Sequence, residues 1–283
     1  MVFINKTKKL VFIHIPKTGG KTIKKSLEEK YKNDWSIICD SYGKKKSIKI
    51  ISDYLHPIYS ILIYNIFGLC YGNKYNLQPF HSTINEIKNE INLNDYYLFT
   101  SVRNPYNRFC SCFYYIKRHI EYYFKAAKII TLLSLFLFFY FIKIGKETKS
   151  KNYILLGIVM LVNYCIINNS KAYKICSSFF YDINDFILFL ENSNDPILKL
   201  TFLPQTIYLL NNNKLGKIDY IIHQENFDEE FKLIVDKYDL EFNESVNVNP
   251  SKKNYINELN SHSIKFLNNY YIDDFKNFNY DMI

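Results

Sequence analysis

Two kinds of pattern alternate along this chain: short β-rich apolar runs that end at glycine, proline or arginine, and longer stretches with helical spacing. Lys9–Ile15 reads as a first strand, stops at Pro16, passes Gly19-Gly20 and resumes as a helix over Lys21–Tyr31. Lys24, Lys25, Glu28 and Glu29 occupy the wet side of that helix. Trp35–Cys39 predicts a second strand. His81–Lys88 opens a helix with Ser82 as N-cap and Glu86 in its early turns. Tyr96–Val102 is a continuous apolar run suited to a parallel sheet covered on both sides. It breaks at Arg103-Asn104-Pro105, where Asn104 can cap and Pro105 can begin a helix over Tyr106–Tyr123. Further on, Ile183–Leu190 and Phe202–Leu210 read as helical, Ile218–Ile222 as a strand and Phe227–Tyr238 as a helix. The last helices follow a loop around Asn249-Pro-Ser-Lys-Lys253, with Phe275, Phe278 and Tyr280 expected to lock the end of the chain onto the core.

Two segments depart from this rhythm. From Asp40 to Phe80 the pattern is irregular, with a basic run Lys44-Lys45-Lys46, and is read as an excursion on the acceptor side. Ile129–Ile142 and Tyr153–Ile167 are almost wholly apolar and are separated by polar Lys143–Lys151. Each block is shorter than the ~20 residues that cross a bilayer. They predict either a helical hairpin buried against the domain or a pair of helices in contact with a membrane through 129–167, within an insertion spanning 125–172.

With 283 residues the chain can bury a sizeable core, and a single α/β domain over 1–283 is expected. The formal net charge of +9 suits a polyanionic ligand, although Lys-, Asn- and Ile-rich usage alone produces such a balance. Six cysteines are scattered without a C-x-x-C pair, so neither a zinc site nor a disulfide framework is expected, and no metal ligand is assigned. No cleavable signal peptide is read at the start, which points to a cytoplasmic or membrane-associated protein.

The candidate chemistry lies at two strand-turn-helix junctions. In Phe12-Ile-His-Ile-Pro-Lys-Thr-Gly-Gly-Lys-Thr22, glycines let backbone N–H groups approach an anion, and the helix start adds positive partial charge. Gly20-Lys21-Thr22 ends like a nucleoside-triphosphate loop, but Ile15 stands where the first glycine belongs. In Phe99-Thr-Ser-Val-Arg-Asn-Pro-Tyr-Asn-Arg-Phe-Cys-Ser111, Arg103 leaves a strand tip and Ser111 sits two turns into the helix. A guanidinium fork plus a hydroxyl suits a phosphate monoester, while a structural arginine at the sheet edge is the plainer reading.

Pro16-Lys17-Thr18-Gly19-Gly20 resembles the 5′-phosphosulfate loop of sulfotransferases that use 3′-phosphoadenosine 5′-phosphosulfate, in particular the carbohydrate, heparan 2-O-like branch. Val102-Arg-Asn-Pro105, then Arg108, then Ser111 resembles their 3′-phosphate motif. Ile218–Asn226, Asn249–Lys253 and Tyr271–Tyr280 resemble later segments of the same family, so the likeness covers most of the chain outside the hydrophobic insertion. The family carries Ser or Thr after the glycine pair, where this chain has Lys21, and its Golgi members carry an N-terminal anchor not read here.

The resemblance implies a P-loop-like three-layer α/β fold with a central, mostly parallel sheet, extended here by the hydrophobic helical-hairpin insertion. It implies in-line sulfuryl transfer from that donor to an acceptor hydroxyl, that of a glycan by analogy, without metal and without nucleic acid as partner. Lys17 is implied to stabilise the leaving group. Thr18, Gly19, Gly20, Lys21 and Thr22 would cradle the 5′ end, and Arg103 and Ser111 would hold the 3′-phosphate. Lys252 and Lys253 either close over the nucleotide or are exposed loop lysines. His81 is the expected base and Glu86 the runner-up; His14 reads as a packed strand residue, and Arg108 as an anion ligand or a brace. Two alternatives stay open: a P-loop kinase or triphosphatase, which needs a magnesium-binding acid where the best strand ends in Arg103, and an inactive membrane-attached nucleotide-binding scaffold.

Overall fold

The computed structural model describes residues 2–30, 35–38, 84–88, 91–149, 152–158, 160–161, 181–193, 202–241 and 255–283. By compactness they fall into two units: Met1–Lys44, Leu77–Phe113 and Ile183–Ile283 form the first, and Lys45–Asn76 with Tyr114–Asp182 the second.

The first unit is built on a five-stranded sheet. Its strands are β1 (Val2–Asn5), β2 (Leu10–Ile13), β3 (Trp35–Ile38), β4 (Tyr97–Val102) and, after a two-stranded ribbon of β5 (Leu210–Asn211) and β6 (Lys214–Leu215), β7 (Tyr220–His223). The sheet order is β3-β1-β2-β4-β7. β2, β4 and β7 pair in parallel, and β1 is antiparallel to both β2 and β3, so only β1 runs against the other four. The fold is therefore mixed α/β with a mostly parallel sheet.

Side-chain alternation puts apolar residues on both faces, as a doubly covered sheet requires. On one face Val2, Ile4, Val11, Ile13, Leu98 and Val102 pack with Ile84 and Ile87 of helix α2 (Ile84–Ile87), with Tyr208 and with Phe278. On the other, Phe3, Leu10, Phe12, Phe99 and Ile222 pack with Ile23 and Leu27 of α1 (Gly20–Lys30) and with Phe227, Phe231, Ile234 and Val235. Phe12 is the centre of that second face, with its ring 5.0 Å from Phe99 and 6.0 Å from Phe3. Burying each such side chain contributes about 1.5–3 kcal/mol before conformational entropy is counted.

The pattern-based reading needs three corrections. Lys9–Ile15 is not the first strand: Val2–Asn5 precedes it and forms a hairpin with β2, closed by a turn that puts Lys9 at φ 51. The helix after Arg103 does not stop near Tyr123: α3 runs from Pro105 to Thr148, because nothing between them breaks a helix and the hydropathy change alters only its surroundings. Phe202–Leu210 is helical only over α5 (Gln205–Tyr208), since Leu209 and Leu210 turn into the β5–β6 ribbon through Asn212 and Asn213, both at positive φ. Two later helices lie where the periodicity puts them, α4 (Ile183–Asn192) and α6 (Phe227–Tyr238), and the last helices are α7 (Ser261–Tyr270) and α8 (Ile272–Asn277).

In the second unit, residues 152–158 are helical. Gly157 lies against the Ile142 side chain and the Phe138 carbonyl, and the Phe141 and Tyr153 rings stack at 6.3 Å. Leu132, Leu133, Phe136, Phe139 and Tyr140 of α3, and Leu155 and Ile158, are nonetheless exposed. Among the described residues no helix is long and apolar enough to cross a membrane. The Asp40–Phe80 excursion lies outside the described residues except in its unit assignment.

Candidate active site

The first loop is held by the tip of its neighbouring strand. β2 ends at Ile13, opposite Thr100 of β4. The Thr100 hydroxyl donates to the Ile13 carbonyl at 2.8 Å, and the Thr18 hydroxyl donates to the Ile15 carbonyl at 2.9 Å. Thr18 Oγ1 also lies 2.9 Å from the Ser101 hydroxyl. These contacts leave Thr18 fully buried, so what it can offer a ligand is its backbone amide. Lys17 and Gly19 have φ of 69° and 89°, one on each side of Thr18. Left-handed residues spaced in this way turn successive N–H groups into a concavity that suits an anion. The helix α1 N-terminus follows directly, and the Thr22 amide bonds back to the Gly19 carbonyl at 3.0 Å.

The two glycines are needed for different reasons. Gly19 has a φ that L side chains rarely adopt, and a Cβ on it would lie 2.3 Å from Gln224 Oε1. Gly20 has no such φ, but its Cβ would fall 2.0 Å from the His14 ring. His14 in turn stacks on Phe12 at 5.8 Å, half-buried and one residue past the end of β2, not within the strand as the sequence reading places it. Lys21 is exposed, whereas Thr22 is buried.

The second loop begins one strand over. The Asn104 side chain accepts from the Tyr106 and Asn107 amides at 3.1 and 3.3 Å, capping α3 as the Asn-Pro pair predicts. The peptide group of Arg103 is gripped at both ends. Its N–H donates to Gln205 Oε1 at 2.9 Å, and its carbonyl accepts from Gln205 Nε2 at 2.8 Å. Arg108 is buried to 1% exposure and acts as a brace through Nε and Nη1, while its Nη2 has no hydrogen-bond partner. Its Nε donates to the Pro16 carbonyl at 3.1 Å and its Nη1 to the Leu203 carbonyl at 2.8 Å, which ties α3 to the first loop. Burial works against the Arg108 charge, yet Cys112, Tyr271, Tyr208 and Asp274 together carry its pKa upward. Ser111 is half-buried on α3.

The Lys17 and Arg103 loops follow the ends of two paired parallel strands, β2 and β4. Burial raises the pKa of the Cys112 thiol, and the positive charges of Arg108, Lys17 and Arg103 oppose it. The β7 turn closes the same edge of the sheet. Gln224 packs on Gly19, while Glu225 accepts from the Asn104 amide at 2.9 Å and from the Tyr280 hydroxyl at 2.8 Å. Three parallel strand tips thus bring their loops together, and in open α/β sheets this edge is where ligands bind. His81, Lys252 and Lys253 lie outside the described residues, as does the side chain of Glu86.

Gln205, Asp274, Gln224 and Glu225 support the two loops from distant parts of the sequence. Gln224 and Glu225 fall within Ile218–Asn226 and Asp274 within Tyr271–Tyr280, segments that resemble the family, whereas Gln205 falls in none of its motifs. Pro204-Gln205 and the Glu225-Asn226 turn were visible as local features, but nothing in their spacing shows that they reach Arg103 and Asn104.

The arrangement brings two strand-turn-helix loops to one edge of a mostly parallel sheet. The chain matches the family model described as Sulfotransferase family over residues 1–281, and it belongs to that family. Sulfuryl transfer in general follows from that membership. No curated protein and no solved structure matches the chain.

Proposed function

We propose that the protein transfers a sulfuryl group from 3′-phosphoadenosine 5′-phosphosulfate to a hydroxyl of a carbohydrate acceptor. The observation that supports this reading is that the Lys17 loop and the Arg103 loop follow the tips of adjacent parallel strands. One nucleotide carrying an anion at each end is the ligand class that two such cradles suit. Amides of Thr18 to Thr22 receive the 5′ end, with Lys21 as a second cation near it. Arg103 and Ser111 receive the 3′-phosphate, and Lys252 and Lys253 close over the nucleotide.

In the reaction the acceptor oxygen attacks sulfur as the bond from sulfur to the 5′-phosphate oxygen breaks. The electron pair of that bond goes to the phosphate, where Lys17 stabilises the growing charge. The acceptor proton passes to His81, whose ordinary pKa suits proton abstraction near neutrality. In this reading the apolar segment 129–167 forms a helical hairpin that lies on a membrane surface and does not span it; the exposed Leu132, Phe136 and Phe139 support that part.

A thermal-shift comparison tests the donor. 3′-Phosphoadenosine 5′-phosphate without magnesium should stabilise the protein by about 2.7 kcal/mol at a hundredfold excess over its Kd. ATP with magnesium should do little. The reverse ranking would favour a kinase or triphosphatase.

A further inference from the structure

Arg103 sits just past the end of β4, where the sheet no longer supplies partners for its peptide group. The side-chain amide of Gln205 takes that place. Its oxygen and nitrogen engage the Arg103 N–H and C=O at 2.9 and 2.8 Å, as a neighbouring strand would. Gln205 is fully buried, and its own position is fixed from the far end of the chain. Asp274, also fully buried, accepts from the Gln205 amide at 2.8 Å, from the Thr206 amide at 2.7 Å and, at 3.4 Å, from Gln205 Nε2. Asp274 thereby caps α5, whose N-cap residue Pro204 supplies no side-chain bond.

We propose that Gln205, held by Asp274, is a positioning residue that aims Arg103 at the 3′-phosphate of the nucleotide, a role that rests on the donor reading above. The hydrogen bonds of Gln205 to Arg103 go to its backbone, so they act on the direction in which the guanidinium leaves the strand and not on its charge. Recognition of a phosphate by an arginine fork is sensitive to direction, because its hydrogen bonds are parallel and planar. The 5′ loop has no bond to Gln205; it is held by Thr100, Ser101 and Arg108. The consequence is selective: loss of Gln205 weakens the contact with the 3′-phosphate and spares the 5′ end.

The test is a pair of Kd values, for 3′-phosphoadenosine 5′-phosphate and for adenosine 5′-phosphate, measured by calorimetry on the full chain and on Gln205→Met. The substitution keeps the length of the side chain and removes both bonds to Arg103. It should weaken the bisphosphate about tenfold while the monophosphate stays within about twofold. Asp274→Asn should move the same ratio in the same direction by a smaller factor, and it serves as the test should Gln205→Met not fold. If both nucleotides weaken equally, Gln205 is merely structural and the inference fails. If the ratio does not change, it fails as well. If the unaltered protein binds the two nucleotides equally, the donor reading itself falls and the positioning role falls with it.

Discussion

The sheet edge and the apolar stretch of α3 solve opposite problems. At the edge, polar groups are taken out of water and many are matched, Thr18 with Ser101, Gln205 with Arg103 and Asp274 with two amides, while Arg108 Nη2 and Asn107 Oδ1 are buried without a hydrogen-bond partner. Along α3, apolar groups are left exposed: Leu132 and Phe136 are each 66% exposed. A buried hydrogen-bond network fixes atoms in place, because each unmatched donor or acceptor costs about 1–3 kcal/mol. An exposed apolar face fixes nothing by itself. Substitutions at the edge should therefore be costly and specific, and those on the helix face tolerated by the fold.

The largest effect is expected on turnover. Lys17→Ala should lower kcat by about a hundredfold to a thousandfold, the range seen when a charge-stabilising donor is removed, and His81→Ala by a comparable factor with donor affinity nearly kept. Steady-state kinetics with labelled donor would check both; unchanged turnover in the His81 variant would remove it as base. Next comes stability. Gly20→Ala must displace the His14 ring, which its Cβ would approach to 2.0 Å, and should cost about 1–3 kcal/mol in denaturant unfolding. Gly19→Ala combines a clash with Gln224 and an unfavourable φ, so its loss should be at least as large.

By contrast, Phe136→Ser on the exposed face should change unfolding free energy by no more than about 0.5 kcal/mol, while reducing co-sedimentation of the full chain with lipid vesicles. A large loss of stability there would mean that the face is covered within the protein.

The smallest effect is a pH dependence. Burial is the main cause that raises the phenol pKa of Tyr208 to about 12 and that of Tyr271 well above its usual 10.0. The folded state therefore holds these protons where the unfolded chain has released them. Their contribution is complete below the unfolded value and is lost as pH rises through the folded one, so stability should decline above pH about 10. Chemical denaturation from pH 8 to 11 would show it.

How much of this could be read from the sequence follows from how local each signal is. The two loops were legible because their function depends on neighbours in sequence: glycines at 19 and 20 beside Lys17, and the Arg103-Asn104-Pro105 break with Arg108 and Ser111 on one helix. β1 was missed because Val2–Asn5 gains its meaning only from pairing with β2 and β3. The extent of α3 was misjudged because a change of hydropathy within a run of helix formers looks like a boundary, yet breaks no hydrogen bond. Gln205 and Asp274 were not legible as part of the site, since their partners lie 102 and 69 positions away in the chain.

One measurement bears most directly on the claim that a single nucleotide spans both loops: calorimetric titration of 3′-phosphoadenosine 5′-phosphate, without magnesium, into the unaltered protein, Lys17→Ala and Arg103→Ala. Binding of one molecule per chain, weakened about tenfold or more in each variant, is the predicted result. Absence of binding, or affinity that depends on only one of the two residues, would contradict it.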